Sequence, residues 1–364
     1  MYISRIYLKN FRNYSEQTVD LNENVNIVYG KNAQGKTNLL ESVFLCSTGR
    51  SHRTTKDDEL VLEGKSGFSV RIEGMKDDIP FEISISYKKD GKKIIKVNGL
   101  KIRKLGEMMG VLNTVIFSPD DLQIIKRGPG ERRRFLDILI SQTNRSYFYK
   151  LQKYQKIIKQ KNALLRIFDR TEGAMDLLHI FNQNQAETGS SIINERIEFI
   201  DEIREKILKN HKKLTKNKEN IEIRYIFSCG KDSYTKEKYL KFLDNNTKKE
   251  IRNQTSMYGP HRDDLEIIVN ESDLRAFGSQ GQQRTAVLSL KLTEIQLIKE
   301  KTGHSPVLLL DDVMSELDLS RKKYLIENID TRQSLITGTE KRTYAAFEDK
   351  STFFHVVNGT VERK

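Results

Sequence analysis

Two things are scarce in this chain: cysteine and long apolar runs. Only Cys46 and Cys229 occur among 364 residues, too few and too far apart for a disulfide framework or a Cys-x-x-Cys zinc site. No stretch approaches the ~18 apolar residues of a membrane-spanning helix. The run at 307–310 is typical of those present, and mean hydropathy is −0.60, which excludes an integral membrane protein. Residues 1–5 enter a polar/apolar pattern at once, without a signal-peptide core. Internal repeats, low-complexity linkers and a Ser/His/Asp set are missing as well. These absences describe a soluble chain of the reducing cytoplasm. At 364 residues, two or three packed units are expected.

What the chain has in excess is positive charge. Lys and Arg number 63 against 50 Asp and Glu, a net of +13 with a pI near 9.4. Such a balance is a common footprint of nucleic-acid binding; a lysine-rich proteome produces it too. The excess is uneven. Residues 121–218 hold 21 Lys/Arg and 12 Asp/Glu, which is +9 of the +13. This segment is either an electrostatic footprint or an ordinary solvated helical face.

Residues 2–8, 25–29, 68–73, 81–87 and 93–97 read as short strands, with Asp90-Gly91 and Asn98-Gly99 as tight turns. Residues 38–46 form the one clear helix before residue 117. From 121 to 218 the texture is helical. Leu151, Ile158 and Leu165, then Ile193, Ile200 and Ile207, recur every seven residues. The spacing predicts two antiparallel helices of about 20 residues, ~30 Å each, separated by a polar stretch at 169–188. Lys161 interrupts the apolar seam. After 219 the pattern returns to α/β, with strands at 221–227, 265–269, 307–310 and 334–337 and helices at 236–252 and 281–301. The helical arm is thus inserted into one α/β unit. The expected division is a core lobe of residues 1–120 and 304–364, and a lobe of residues 121–303.

Gly30-Lys31-Asn32-Ala33-Gln34-Gly35-Lys36-Thr37 matches Gly-x-x-x-x-Gly-Lys-[Ser/Thr], lying between a strand and the helix that Asn38 opens. Its glycines let backbone N–H groups curl around phosphates at a helix N-terminus. Lys36 would reach the β/γ-phosphates of ATP, and Thr37 would ligate Mg²⁺. The strand at 307–310 ends in Asp311-Asp312. Asp311 would hold the metal, directly or through water, and Asp312 would polarise the attacking water. The catalytic candidates are therefore Asp312 and Lys36, and the metal candidates Thr37 and Asp311.

Gly278-Ser279-Gln280-Gly281-Gln282-Gln283-Arg284 resembles the signature motif of ABC-type ATPases, and Ser315-Glu316-Leu317-Asp318 resembles their D-loop. Ser279, Gly281 and Gln282 are nucleotide-contact candidates; Ser279 read alone is a helix N-cap. P-loop and signature lie about 240 residues apart, an arrangement similar to the SMC, Rad50 and RecF group of heads with inserted helices. The runs Leu8-Lys9-Asn10-Phe11-Arg12-Asn13-Tyr14, Thr48-Gly49-Arg50-Ser51-His52-Arg53-Thr54, Phe117-Ser118-Pro119-Asp120-Asp121-Leu122, Arg132-Arg133-Arg134-Phe135-Leu136-Asp137 and Tyr258-Gly259-Pro260-His261-Arg262-Asp263-Asp264 resemble segments of the RecF family.

The resemblance implies an SMC/Rad50-like ABC ATPase of recombinational DNA repair. It implies double-stranded and gapped DNA as ligand, RecR as partner, RecO and RecA in the pathway, an ATP-dependent homodimer, slow Mg²⁺-dependent hydrolysis and no membrane association. The fold it implies is α/β: a P-loop head with an antiparallel β-subdomain and a short, coiled-coil-like helical arm. Three departures stand out. Asp312 replaces the usual Glu, no Q-loop Gln follows the strand before the arm (Gln123 being the nearest), and Thr337 and Thr339 stand near where a switch His would be. Arg12 either contacts nucleotide or forms a salt bridge. His52 and His261 read as hydrogen-bonded structural residues, and Arg132 to Arg134 either grip phosphates or pair with carboxylates of the arm. An ATP-binding clamp or scaffold without turnover, and a transporter-coupling ATPase, are the alternatives.

Overall fold

A computed structural model describes residues 1–89, 91, 93–230, 235–316, 321–322, 331–344 and 351–364. Asp90 of the first expected turn, and Leu317 and Asp318 of the expected D-loop, lie outside these residues. The chain forms two compact units, Met1–Asp121 with Glu294–Lys364, and Leu122–Thr293. Among the described residues no helix is long and apolar enough to cross a membrane.

The first unit carries two six-stranded sheets among the described residues. One is antiparallel, in the order Tyr14–Asp20, Tyr2–Phe11, Gly67–Lys76, Ile79–Lys88, Ile94–Val97, Leu100–Lys101. Its residues alternate cleanly: Ile6, Leu8, Val70, Ile72, Ile83 and Ile85 are buried while their neighbours along each strand are not. One face is covered and the other open to water.

The second sheet runs Thr360–Arg363, Ser351–Val357, Val25–Tyr29, Ser334–Gly338, Val307–Leu310, Thr114–Phe117. All strands but the first are parallel. Val307–Leu310 is buried throughout, as a strand flanked on both sides should be. Because the five strands run the same way, Gly30, Asp311 and Gly338 emerge at one edge, where open α/β sheets bind ligands. Helix Lys36–Thr48 touches strands of both sheets, which explains why Leu39, Leu40, Val43, Phe44 and Leu45 bury themselves all round it. The strand before the arm is Thr114–Phe117, whereas the strands at 14–20, 351–357 and 360–363 were not anticipated. The last two form a hairpin whose Asn358-Gly359 turn is itself a tight-turn dipeptide.

The second unit holds helices Pro129–Thr143, Arg145–Arg166, Ala174–Leu214, Lys236–Asn245 and Thr247–Asn253, a three-stranded antiparallel sheet (Ser272–Asp273, Asp264–Val269, Ile221–Ile226), and the start of helix Gln280–Thr302. The arm differs from expectation in one helix. Arg145–Arg166 has 22 residues, but Ala174–Leu214 has 41, about 60 Å at 1.5 Å per residue. The polar stretch at 174–188 stays helical because its polar side chains have partners. Asn182 Nδ2 donates to Asp244 Oδ1 at 2.9 Å, and Gln185 Nε2 donates to Tyr239 Oη at 2.9 Å and the Tyr258 carbonyl at 2.8 Å. At Gly189 a Cβ would stand 2.8 Å from the Tyr239 ring and 3.0 Å from that of Tyr154, so glycine is what lets both tyrosines close on the helix. Lys161 is fully buried, 2.6 Å from the equally buried Glu250 carboxylate and 2.7 Å from Gln185 Oε1.

Candidate nucleotide-binding site

The P-loop is built as its sequence requires. Gly30 and Gly35 take φ of 153° and 119°, and Ala33 also lies at positive φ, 63°. A Cβ on Gly30 would stand 2.4 Å from the Val356 carbonyl. Gly35 is the left-handed N-cap residue of helix Lys36–Thr48, and Gly49 the left-handed C-cap, its N–H donating to the Leu45 carbonyl. Lys36 Nζ donates to the carbonyls of Gly30 (2.7 Å) and Lys31 (2.8 Å), so the ammonium lies folded over the loop. Burial depresses its pKa, and the Asp312 and Asp311 carboxylates oppose that.

Residues 274 positions apart in sequence meet at the metal candidates: Thr37 Oγ1 donates to Asp311 Oδ1 at 2.8 Å. Thr337 Oγ1 also lies 2.9 Å from Asp311 Oδ1 and accepts the Asp312 N–H at 2.9 Å. The Thr337 hydroxyl therefore braces the Asp pair from the neighbouring strand; Thr339 is exposed. Burial pushes the Asp311 carboxyl above its ordinary value, against the hydrogen bonds from Thr37 and Thr337. A hydroxyl and a carboxylate oxygen beside a glycine-lined turn are the hard donors a Mg²⁺–phosphate group requires, so the residues present fit both groups. Asp312 has φ of 52°, a left-handed backbone at the end of its strand.

Several supports were not anticipated. Asn13 Nδ2 donates to the Gln34 carbonyl at 2.8 Å, and Asn13 Oδ1 accepts from Asn38 Nδ2 at 2.8 Å. Tyr14 Oη donates to the Gly35 carbonyl at 2.9 Å. From the opposite side, the N–H groups of Asn358 and Gly359 donate to Gln34 Oε1 (2.6 Å) and the Gln34 carbonyl (3.1 Å). Asn13 and Tyr14 sit in the run that resembles the RecF family, which was the only signal for them. Tyr344 Oη donates to the Thr337 carbonyl at 2.9 Å, and a Cβ at Gly338 would collide with its ring.

Arg12 forms the ion pair foreseen as one of its two readings. Its Nε and Nη2 reach Glu41 Oε2 and Oε1 at 2.9 and 2.7 Å. Ser51 Oγ (2.5 Å) and Arg53 Nη1 (3.3 Å) complete the shell of this fully buried carboxylate. Burial alone would raise the Glu41 pKa; hydrogen bonds from Arg12 and Ser51, with the two guanidinium charges, hold it below the ordinary value.

In the second unit, Ser279 N donates to Gln282 Oε1 at 3.0 Å and Gln282 N donates to Ser279 Oγ at 3.2 Å, a reciprocal capping box. Gln282 Nε2 also reaches Glu219 Oε1 at 3.0 Å, so this side chain is already engaged within its own unit. Ser279 and Gly281 are exposed, and within 4 Å a Cβ on Gly281 would meet only Ser279 Oγ. Gln123 opens the short helix Gln123–Lys126. Arg132 is buried against Asp264 (2.7 and 2.9 Å), a strand residue rather than an arm carboxylate. His261 Nδ1 lies 2.8 Å from Tyr154 Oη; burial drives its pKa down to about 3, as suits a structural imidazole.

The family model of the RecF/RecN/SMC N-terminal domain matches residues 2–362. The DNA replication and repair protein RecF of Acetivibrio thermocellus is 47% identical over 349 residues, covering 94% of this chain and 95% of the relative. That of Clostridium novyi is 42% identical over the whole of both chains. A solved structure of the recombination mediator RecF with ATP, in the RecFOR pathway, superposes with a TM-score of 0.92 at 40% identity, covering all of this chain and 97% of the other. An Smc head bound to the winged-helix domain of ScpA shares the fold, at 16% identity and a TM-score of 0.57 over 100% of this chain and 97% of that one.

Proposed function

The chain belongs to the RecF family of DNA replication and repair proteins, and on that footing we propose that it is an ATP-driven dimeric clamp on DNA. The observation that carries the proposal is the 2.8 Å bond between Thr37 and Asp311, which assembles a metal–phosphate half-site from the two ends of the sequence. Gly30 to Thr37 and Asn38 would cradle ATP, with Lys36 exchanging its carbonyl partners for phosphate oxygens. Thr37 and Asp311 would hold Mg²⁺, which neutralises phosphate charge when bound. Asp312 would orient the attacking water; its side chain is one methylene shorter than Glu, which supports slow hydrolysis. Arg12 is not a nucleotide contact in this reading, because Glu41 and the Glu59 carbonyl already engage its guanidinium. The RecF–ATP relative supports the nucleotide.

The site is half of a whole. The exposed, capped helix start at Ser279 and Gly281 offers a hydroxyl and N–H groups suited to a γ-phosphate. In this reading each chain presents that helix start to the nucleotide of a second chain, and two ATP molecules are enclosed across a two-fold axis. Loss of the γ-phosphate removes the shared contacts and favours opening. The relatives' place in the RecFOR pathway supports RecR and RecO as partners, with RecA loading at gapped duplexes as the outcome. A scaffold without turnover is favoured only by Asp312; phosphate release measured with and without duplex DNA separates the two. The transporter-coupling alternative finds no switch His or Q-loop Gln in support.

Sedimentation of Ser279→Arg with ATP and Mg²⁺ tests the composite site. The variant is expected to bind ATP and remain monomeric; an ATP-dependent dimer equal to wild type defeats the proposal.

A further inference from the structure

Dense positive charge is not confined to the helical arm. Residues 88–104 contain seven Lys and one Arg against a single Asp, +7 in 17 residues. The described residues among them include the end of strand Ile79–Lys88 and the outer hairpin of the antiparallel sheet, Ile94–Val97 and Leu100–Lys101, turning at Asn98 (φ 50°) and Gly99 (φ 77°). Strand register decides where the charges go. Tyr7 lies opposite Arg71, Arg71 opposite Ser84, Ser84 opposite Lys96, and Lys96 opposite Lys101. Residues directly opposite share a face, so these five side chains form one row on the open face, about 19 Å long at ~4.8 Å per strand.

The two ends of that face differ. Toward the inner strands the cations are matched: Arg5 pairs with Asp20, Lys9 lies 3.9 Å from Glu16, and Arg71 lies 3.6 Å from Glu73 with its guanidinium 3.9 Å from the Tyr7 ring centre. Lys96 and Lys101 are exposed and have no carboxylate partner among the described residues. Like charges directly opposite one another across a strand pair destabilise it. Here the repulsion sits at a sheet edge, where lysines also discourage edge-to-edge pairing. Exposed Lys88, Lys89 and Arg103 flank the row, while Lys93 is taken up by Asp57 at 2.7 Å.

We infer that this row, Arg71–Ser84–Lys96–Lys101 with its lysine flanks, is a contact surface for the phosphate backbone of duplex DNA. Over the ~14 Å from Arg71 to Lys101 a duplex presents on the order of eight phosphate charges, and a hydroxyl among cations matches phosphate oxygens. An acidic protein partner fits less well, since lysine is depleted from protein–protein interfaces. The inference rests on the DNA-clamp reading and adds where the duplex lies: on the β-sheet, in addition to or instead of the basic arm helices.

The test measures duplex binding by fluorescence anisotropy across a salt series, with ATP and Mg²⁺, for the full chain, for Lys96→Gln/Lys101→Gln, and for the arm variant Lys209→Gln/Lys213→Gln. Binding of a fluorescent ATP analogue verifies that each variant is folded. The slope of log K against log salt is expected to shrink by ~1.8 in the sheet variant, ~0.9 per lost phosphate contact. A sheet variant with the wild-type slope overturns the surface while leaving the clamp reading intact, whatever the arm variant does. A wild-type chain that binds no duplex overturns both.

Discussion

Glu41 is a carboxylate with no exposed surface, one turn along the P-loop helix from Thr37, and it is held charged by three neighbours. Its depressed pKa has a thermodynamic consequence. A carboxyl group whose folded pKa lies below its unfolded value contributes stability above the unfolded pKa, and that contribution is lost as pH falls through the folded value. Glu41→Gln keeps the shape and removes the charge. We expect it to cost on the order of 2 kcal/mol at pH 7, with the gap to wild type closing as pH falls below about 4.5, the ordinary value. Urea unfolding at pH 7 and pH 4 measures both. The left-handed backbone of Asp312 belongs to the same scale. Strain at that residue is sustained by the Thr337 hydroxyl bonding its N–H, and nothing in an Asp-Asp dipeptide announces it.

Among the elements, those with strong local signals were legible and those fixed by long-range packing were not. The P-loop strand and helix, the Val307–Leu310 strand and the signature helix came from glycines, apolar runs and caps that act over a few residues. The 41-residue helix did not, because polar residues such as Asn182 and Gln185 read as a break until Asp244, Tyr239 and the Tyr258 carbonyl are brought against them. Lys161 looked like a defect in the seam. It is half of an ion pair with no exposure on either side. Glu250 also accepts from Met257 N at 2.8 Å and Ser256 Oγ at 3.2 Å, so the pair ties arm helix, helix Thr247–Asn253 and the following loop together. Removing one partner strands a buried charge, so Lys161→Ala should cost about 3–5 kcal/mol. Lys161→Met/Glu250→Gln should cost markedly less, because no charge remains uncompensated. Equilibrium urea unfolding of both variants, with unchanged m-values, verifies the comparison.

For the whole molecule, the shared-site reading makes a demand that no single chain can meet. Asp312→Asn should abolish turnover and keep ATP binding; Ser279→Arg should do likewise for a different reason. Mixed, the two inactive chains form some heterodimers with one intact site, in which the P-loop and Asp312 of the Ser279→Arg chain meet the normal signature helix of the other. Phosphate release is expected to reappear on mixing. Its absence at concentrations where wild type turns over contradicts a site built from two chains.

The strand that leads into the P-loop pairs on one side with Ser334–Gly338 and on the other with Ser351–Val357, and the loop itself is pinned by the N–H groups of Asn358 and Gly359. Both neighbours of a strand that begins at Val25 are therefore translated roughly three hundred residues after it. While the ribosome is still working, the nascent Val25–Tyr29 segment has no sheet to join and its glycine turn no clamp. On the proposed reading, a nascent polypeptide is expected to gain nucleotide affinity only once the segments around 334–359 have been made.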